Sequence, residues 1–118
     1  MSINGVYKSQ NGQFILEITD ADEGKSTFGG TLISVLSPVG EQKMGVTGRY
    51  YYTGPGTSPL NLGLTAASRP ESREYSVVEA WCGVFTAPGE IKMSGSQSYL
   101  AADGAQEQRA LGTQIFVK

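Results

Sequence analysis

Glu79 and Trp81 are the residues in this chain best suited to hold a ligand. They stand two apart in an extended apolar run, so a carboxylate and an indole fall on the same side of it. A carboxylate in apolar surroundings must be paired, hydrated or used. Two readings stand side by side: Glu79 hydrogen-bonds a hydroxylated or cationic ligand, or it pairs internally with an Arg or Lys. Around this pair the usual catalytic chemistry is missing. The chain has no His, which removes the commonest general base and metal ligand and most nucleophilic triads. Its single Cys, Cys82, excludes an internal disulfide and argues against zinc. The expectation for Cys82 is a buried structural thiol. Asp20, Asp22 and Glu23 lie close enough to suggest a calcium loop, but their spacing is not that of an EF-hand, so a solvated hairpin is expected. Tyr50-Tyr51-Tyr52 reads either as a stacking platform or as β-propensity with rings on both faces. Glu71, Arg73 and Glu74 read as a solvated turn. No cofactor or metal is called for.

The chain of 118 residues suits one domain, residues 1–118, able to build a core without a disulfide or metal. With a formal net charge of −2 and a pI near 5.0 there is no basic stripe to hold a phosphate backbone, so no nucleic-acid partner is expected. No apolar run approaches the ~18 residues of a membrane span, so no membrane partner is expected either. Met1 to Tyr7 shows no signal-peptide pattern, which fits a cytoplasmic or a mature secreted form and leaves the compartment open.

Sixteen glycines and five prolines separate short runs rich in Val, Ile, Thr, Tyr and Phe, the pattern of many strands joined by turns. The expected strands are Gly5 to Ser9, Gln13 to Thr19, Lys25 to Leu36, Glu41 to Thr53, Leu60 to Ser68, Glu74 to Thr86, Ile91 to Ala101 and Leu111 to Lys118. Turns are expected at Asn11-Gly12, Gly54-Pro55-Gly56 and Ala87-Pro88-Gly89. The best helix candidate, Ala101 to Leu111, is interrupted by Asp103-Gly104 and has room for one turn of helix. About eight hairpin-linked strands let an antiparallel up-and-down sheet close into a barrel around one small ligand. An open sandwich is the alternative.

Alternation gives the faces. On the sixth strand Val77, Glu79, Trp81, Gly83 and Phe85 share one side, and Val78, Ala80, Cys82 and Val84 the other. Ser34 falls with Leu32 and Leu36, opposite Ile33 and Val35. Both faces of the sixth strand are apolar, whereas a strand of a lone barrel has one wet face. The second face reads as a subunit interface, or as a surface packed beneath the Ala101 to Leu111 loop.

Several short motifs, in order over nearly the whole chain, resemble those of the avidin/streptavidin family. Gly5-Val6-Tyr7 followed by Asn11-Gly12 is similar to a Gly-x-Trp start and a Leu-Gly turn. Thr47-Gly48-Arg49-Tyr50 resembles the Thr-Gly-Arg-Tyr run of the family's fourth strand, and Leu62-Gly63-Leu64-Thr65 its Leu-Gly-Trp-Thr. Trp81-Cys82-Gly83 stands where the family has Trp-Ser-Gly, and Gly112 to Lys118 resembles a terminal Gly-x-Asp-x-Phe-Thr-Lys. The resemblance implies an eight-stranded antiparallel barrel, a biotin-type pocket at its open end and assembly as a homodimer or homotetramer. It places Ser9, Gln13 and Leu32 where the family cradles the ureido oxygen with Asn, Ser and Tyr. Ser34 and Gln114 stand at the ureido nitrogens, in place of a Ser and an Asp. Val77 and Glu79 replace two hydroxyl residues near the thioether and the tail. Of the pocket tryptophans Trp81 remains; the others fall near Ser68, Gln97 or Ser98, and Gln106.

These replacements argue against tight biotin binding. Leu32 offers no hydrogen bond, Gln114 is neutral, and Glu79 repels a carboxylate tail. Each unpaired buried group costs ~1–3 kcal/mol. Several such losses, if they added, would bring an affinity near ~10⁻¹⁵ M down to micromolar or weaker. The expected function is a small-ligand-binding barrel with a reshaped pocket, and not an enzyme. The alternative is an interaction or inhibitor module with a vestigial pocket and recognition by loops such as Thr53 to Pro59. A weak hydrolase is least supported, for want of His.

Overall fold

The computed structural model describes residues 3–55, 59–86 and 89–118. Eight strands follow one another around a closed barrel: β1 (Gly5–Ser9), β2 (Phe14–Ile18), β3 (Thr27–Ser34), β4 (Gln42–Tyr52), β5 (Leu60–Ser68), β6 (Tyr75–Thr86), β7 (Glu90–Ala101) and β8 (Gln106–Val117). Every neighbouring pair is antiparallel, and β8 closes on β1 through Lys8 opposite Val117 and Ser9 opposite Phe116. The sheet is the up-and-down barrel expected from the turn spacing, not an open sandwich.

Burial follows the two-residue period. Val77, Glu79, Trp81 and Phe85 of β6 are buried, while Val78, Ala80, Cys82 and Val84 are exposed. Cys82, on the outward face opposite Trp81 as alternation expects, is exposed and not the buried thiol expected from its type. The interior admits large rings because small residues face them. One inward row runs Phe28, Gly48, Leu64, Trp81, Gly95 across successive strands. A Cβ on Gly48 would lie 2.2 Å from the Phe28 ring, and one on Gly95 2.5 Å from the Trp81 indole. The indole lies against bare backbone and meets Phe14 and Phe116 edge-on, at centroid distances of 5.0 and 5.6 Å.

The Ala101 to Leu111 helix does not form. β7 continues to Ala101, residues 102–105 turn, and β8 begins at Gln106 instead of Leu111. The turn is held by Ala101 N–H to the Ala105 carbonyl, 2.8 Å, and by Ala105 N–H to Asp103 Oδ1, 2.9 Å, with Gly104 at φ +93°. Residues 106–110 thus meet ladder partners on β7, and cross-strand pairing outweighs a composition that suits a helix. A bulge opposite Gly95 and Ser96 leaves Leu111 outside the ladder and turned inward. β3 is shorter than expected at both ends; at its start Asp22 pairs with Thr27 around a tight turn containing Ser26 at φ +57°. Gly56 and residues 57, 58, 87 and 88 lie outside the described residues. The expected turns at Gly54-Pro55-Gly56 and Ala87-Pro88-Gly89, and the Thr53 to Pro59 loop, fall partly there.

At the end away from the β1–β2 turn, buried Ile3 precedes β1, and the Tyr7 hydroxyl donates to its carbonyl at 2.6 Å. Burial pushes the Tyr7 hydroxyl above its ordinary 10.0. The folded chain thus holds this proton more tightly than the unfolded one. Its contribution to stability is intact below the ordinary value and is lost as pH rises through the raised one.

Two tests follow from the packing. Gly95→Val should destabilise the fold by ~1–3 kcal/mol or more through overpacking, read by urea unfolding on the fluorescence of the single Trp; an unchanged midpoint would contradict the Trp81–Gly95 contact. Tyr7→Phe should cost ~1 kcal/mol at neutral pH and soften the alkaline loss of stability above the ordinary tyrosine value of 10.0. An identical pH profile would show that Tyr7 is not the group responsible.

Candidate functional site

The turn between β1 and β2 and the connections 35–41, 69–74 and 102–105 share one end of the barrel, its mouth. Inside it, register assembles a row that sequence alone left unjoined: Ala66, Glu79, Gln97 and Arg109 stand side by side on β5, β6, β7 and β8. Glu79 is 0 % exposed. Its Oε1 accepts from Trp81 Nε1 at 2.9 Å and its Oε2 from Gln97 Nε2 at 2.7 Å. The same Gln97 nitrogen donates to the Leu36 carbonyl at 2.5 Å, tying the 35–41 connection across the mouth to β7. Gln97 Oε1 accepts from Arg109 Nε at 3.1 Å. Arg109 therefore reaches Glu79 through an amide and not directly. Its other contact, Nη1 to Glu107 at 3.9 Å, is solvent-exposed and worth little. Both carboxylate oxygens act as acceptors.

A second polar group lies at the rim, organised by Asn11, which sequence reasoning treated as a turn residue. Ser9 Oγ donates to Asn11 Oδ1 at 2.7 Å and accepts from Phe14 N–H at 3.0 Å. Asn11 Nδ2 donates to Gln13 Oε1 and to Gln114 Oε1, both at 2.9 Å. Gln114 Nε2 in turn donates to the Leu111 carbonyl at 3.1 Å. Three expected site residues, Ser9, Gln13 and Gln114, are thus brought together. Opposite them Ser68 Oγ donates to Gln42 Oε1 at 2.9 Å, beside Tyr75 stacked on Tyr99 at 6.2 Å.

Leu32 and Val77 are buried apolar wall, each facing the interior. Ser34 is 0 % exposed, and its Oγ has no hydrogen-bond partner among the described residues. It pairs with Phe14, whose ring leans on Trp81, and stands two residues before the carbonyl bound by Gln97. The eight expected residues therefore divide into an interior set, Ser9, Leu32, Ser34, Val77, Glu79 and Trp81, and a rim set, Gln13 and Gln114. Gln97, Arg109 and Asn11 were not expected as site residues. Gln97 faces Glu79 through the β6–β7 register that starts at Thr86 opposite Glu90, an offset that alternation alone does not give. Arg109 was hidden by reading its segment as helix.

Depressions of about 460 Å³ also lie on the outer wall, one along Val78, Ala80, Ser96 and Ser98 that also touches Gln97 and Arg109, another along Thr47, Arg49, Gly63 and Thr65 that also touches Trp81. They are open and lined largely by small side chains. The buried polar groups converge on the other side of the sheet, and the site is placed there.

The closed, eight-stranded, next-neighbour antiparallel barrel matches the fold of avidin-like solved structures. Solved structures similar to this chain include core-bradavidin, at 18 % identity over 95 % of this chain and 96 % of that one, with a TM-score of 0.59. Others are apo shwanavidin, at 14 % identity, 99 % and 95 % coverage and a TM-score of 0.61, and the biotin binding protein from chicken, at 15 %, 98 % and 96 %, and 0.62. At these identities the likeness is one of fold. No family model and no curated protein matches the sequence.

The site generates a paired expectation. Ser34→Ala removes a buried hydroxyl that has no partner, so the ligand-free protein should keep or gain stability. Gln97→Ala strands Glu79 Oε2 and the Leu36 carbonyl, and should cost ~1–3 kcal/mol. Thermal unfolding of both variants reads the difference, and the reverse order would contradict the hydrogen-bond assignment.

Proposed function

We propose that this protein is a small-ligand-binding barrel of avidin/streptavidin type whose pocket is reshaped for a polar ligand other than biotin, acting by binding and not by catalysis. One observation carries the reading: Glu79, wholly buried, is built into a Trp81–Gln97–Arg109 network inside the mouth. A polar network of this kind in so small an interior does more to orient a ligand than to stabilise a fold, since apolar replacement of buried ions is often neutral or stabilising. The similar chicken protein is a biotin binding protein, which supports a small ligand for this barrel as well. Leu32 and Val77 bring no hydrogen bond to the interior, and Gln114 is engaged with Asn11 and Leu111. Ser9, Gln13, Ser34, Glu79 and Gln114 are the proposed polar contacts, with Leu32, Val77 and Trp81 as wall.

The same reading includes assembly as a homodimer or homotetramer. Val78 and Val84 are 45 % and 41 % exposed, on one stripe of β6 with Ala80 and Cys82. A stripe of this kind, flanked by small side chains, suits a flat contact between copies.

Calorimetric titration with biotin tests the pocket. The expected dissociation constant is ~10⁻⁶ M or weaker, and a nanomolar value would overturn the reshaped pocket. Sedimentation of the wild type beside Val78→Glu should show an oligomer that the charge dissociates. A wild-type monomer would overturn the assembly.

A further inference from the structure

The Gln97 amide nitrogen occupies a position where two acceptors converge, Glu79 Oε2 at 2.7 Å and the Leu36 carbonyl at 2.5 Å. One of them is a carboxylate oxygen, and the nitrogen held between them is a neutral amide. Among the described residues no Lys or Arg forms an ion pair with Glu79. Arg109 stops at Gln97 Oε1, and its guanidinium is also shared with Glu107. Glu79, Glu107 and Arg109 together leave one net negative charge at this place in the wall. A buried charge held by neutral donors alone keeps much of its desolvation cost, and a ligand of opposite charge recovers it. Two further features favour an organic cation over a bare ion. The indole that donates to Glu79 belongs to a buried ring cluster with Phe14 and Phe116, so the surroundings of the carboxylate are apolar and suit an organic body better than a hydrated ion. Buried Ser34 Oγ, two residues from the Leu36 carbonyl, has no partner and is free to accept from an ammonium or hydroxyl.

We infer that the barrel takes a small organic ammonium compound, whose nitrogen replaces Gln97 Nε2 between Glu79 and the Leu36 carbonyl while its apolar body lies against the Trp81 cluster. This rests on the proposed binding function and names its ligand class. A primary ammonium has three donors, one more than the amide it displaces. Gln97 then turns aside with its oxygen still on Arg109, and the link that ties the 35–41 connection to β7 passes from Gln97 to the ligand.

The test compares benzylammonium, benzyl alcohol and benzoate at equal ionic strength, by thermal shift and calorimetry, on wild type and Glu79→Gln. Benzylammonium should raise the melting temperature in a concentration-dependent way, benzoate should not, and Glu79→Gln should weaken the ammonium about tenfold or more, the loss of one charge-assisted hydrogen bond. Benzyl alcohol binding as well as benzylammonium, with no effect of Glu79→Gln, would overturn the ligand class and leave the pocket standing. No response to any of the three or to biotin would overturn both. Should Glu79→Gln fail to fold, Gln97→Lys against Gln97→Met decides: a tethered ammonium should melt no lower than the apolar side chain of similar length. A Lys variant several degrees below Met overturns the inference.

Discussion

Closure of the sheet is the constraint on which everything else rests. Once eight strands join end to end, each residue has one of two destinations, the axis or the outside, and sequence parity decides which. An eight-strand cylinder has little interior volume, so every large inward ring needs a small neighbour. Phe28 over Gly48 and Trp81 over Gly95 meet that need. The rings in turn fix where polar side chains can stand, because Trp81 leaves its indole N–H beside whatever occupies the same face two residues earlier. That residue is Glu79.

The polar interior is consistent with this packing. A buried carboxylate is tolerated when its oxygens are occupied, and Trp81 and Gln97 occupy both. Gln97 is in turn satisfied on both sides, by the Leu36 carbonyl and by Arg109. The chain of bonds runs from a core indole, through a carboxylate and an amide, to a half-exposed guanidinium at the mouth. It couples the position of the 35–41 connection to the interior. Ser34 is the exception, a buried hydroxyl without a partner among the described residues.

Much of the fold was legible in the sequence. Gly and Pro punctuation gave β1 and β5 to the residue, and alternation placed Glu79 and Trp81 inside with Val78 and Val84 outside. What parity could not show was register. Gln97 facing Glu79, and Arg109 facing Gln97, follow from the hairpin offsets of β6, β7 and β8, and the last of these contains a bulge. The 106–110 segment failed for a related reason: its Gln, Glu and Ala content suits a helix, and its strand partners become visible only when the Asp103-Gly104 turn is read as a hairpin. Parity places Cys82 on the outward face, as observed; the burial expected of its type is what the single chain lacks. Of the site, the wall, the carboxylate and Trp81 beside it were readable, while Gln97 and Arg109 beyond it were not.

The central claim is that Glu79 sits inside a closed barrel with its oxygen on the Trp81 indole. Since the chain has one Trp, its indole N–H gives a single resonance, and hydrogen exchange measured on it addresses that bond directly. Exchange as slow as that of the best-protected β6 and β7 backbone amides, becoming fast in Glu79→Ala, is the result expected of a buried, bonded donor. Exchange at the rate of a free indole in the wild type would contradict it.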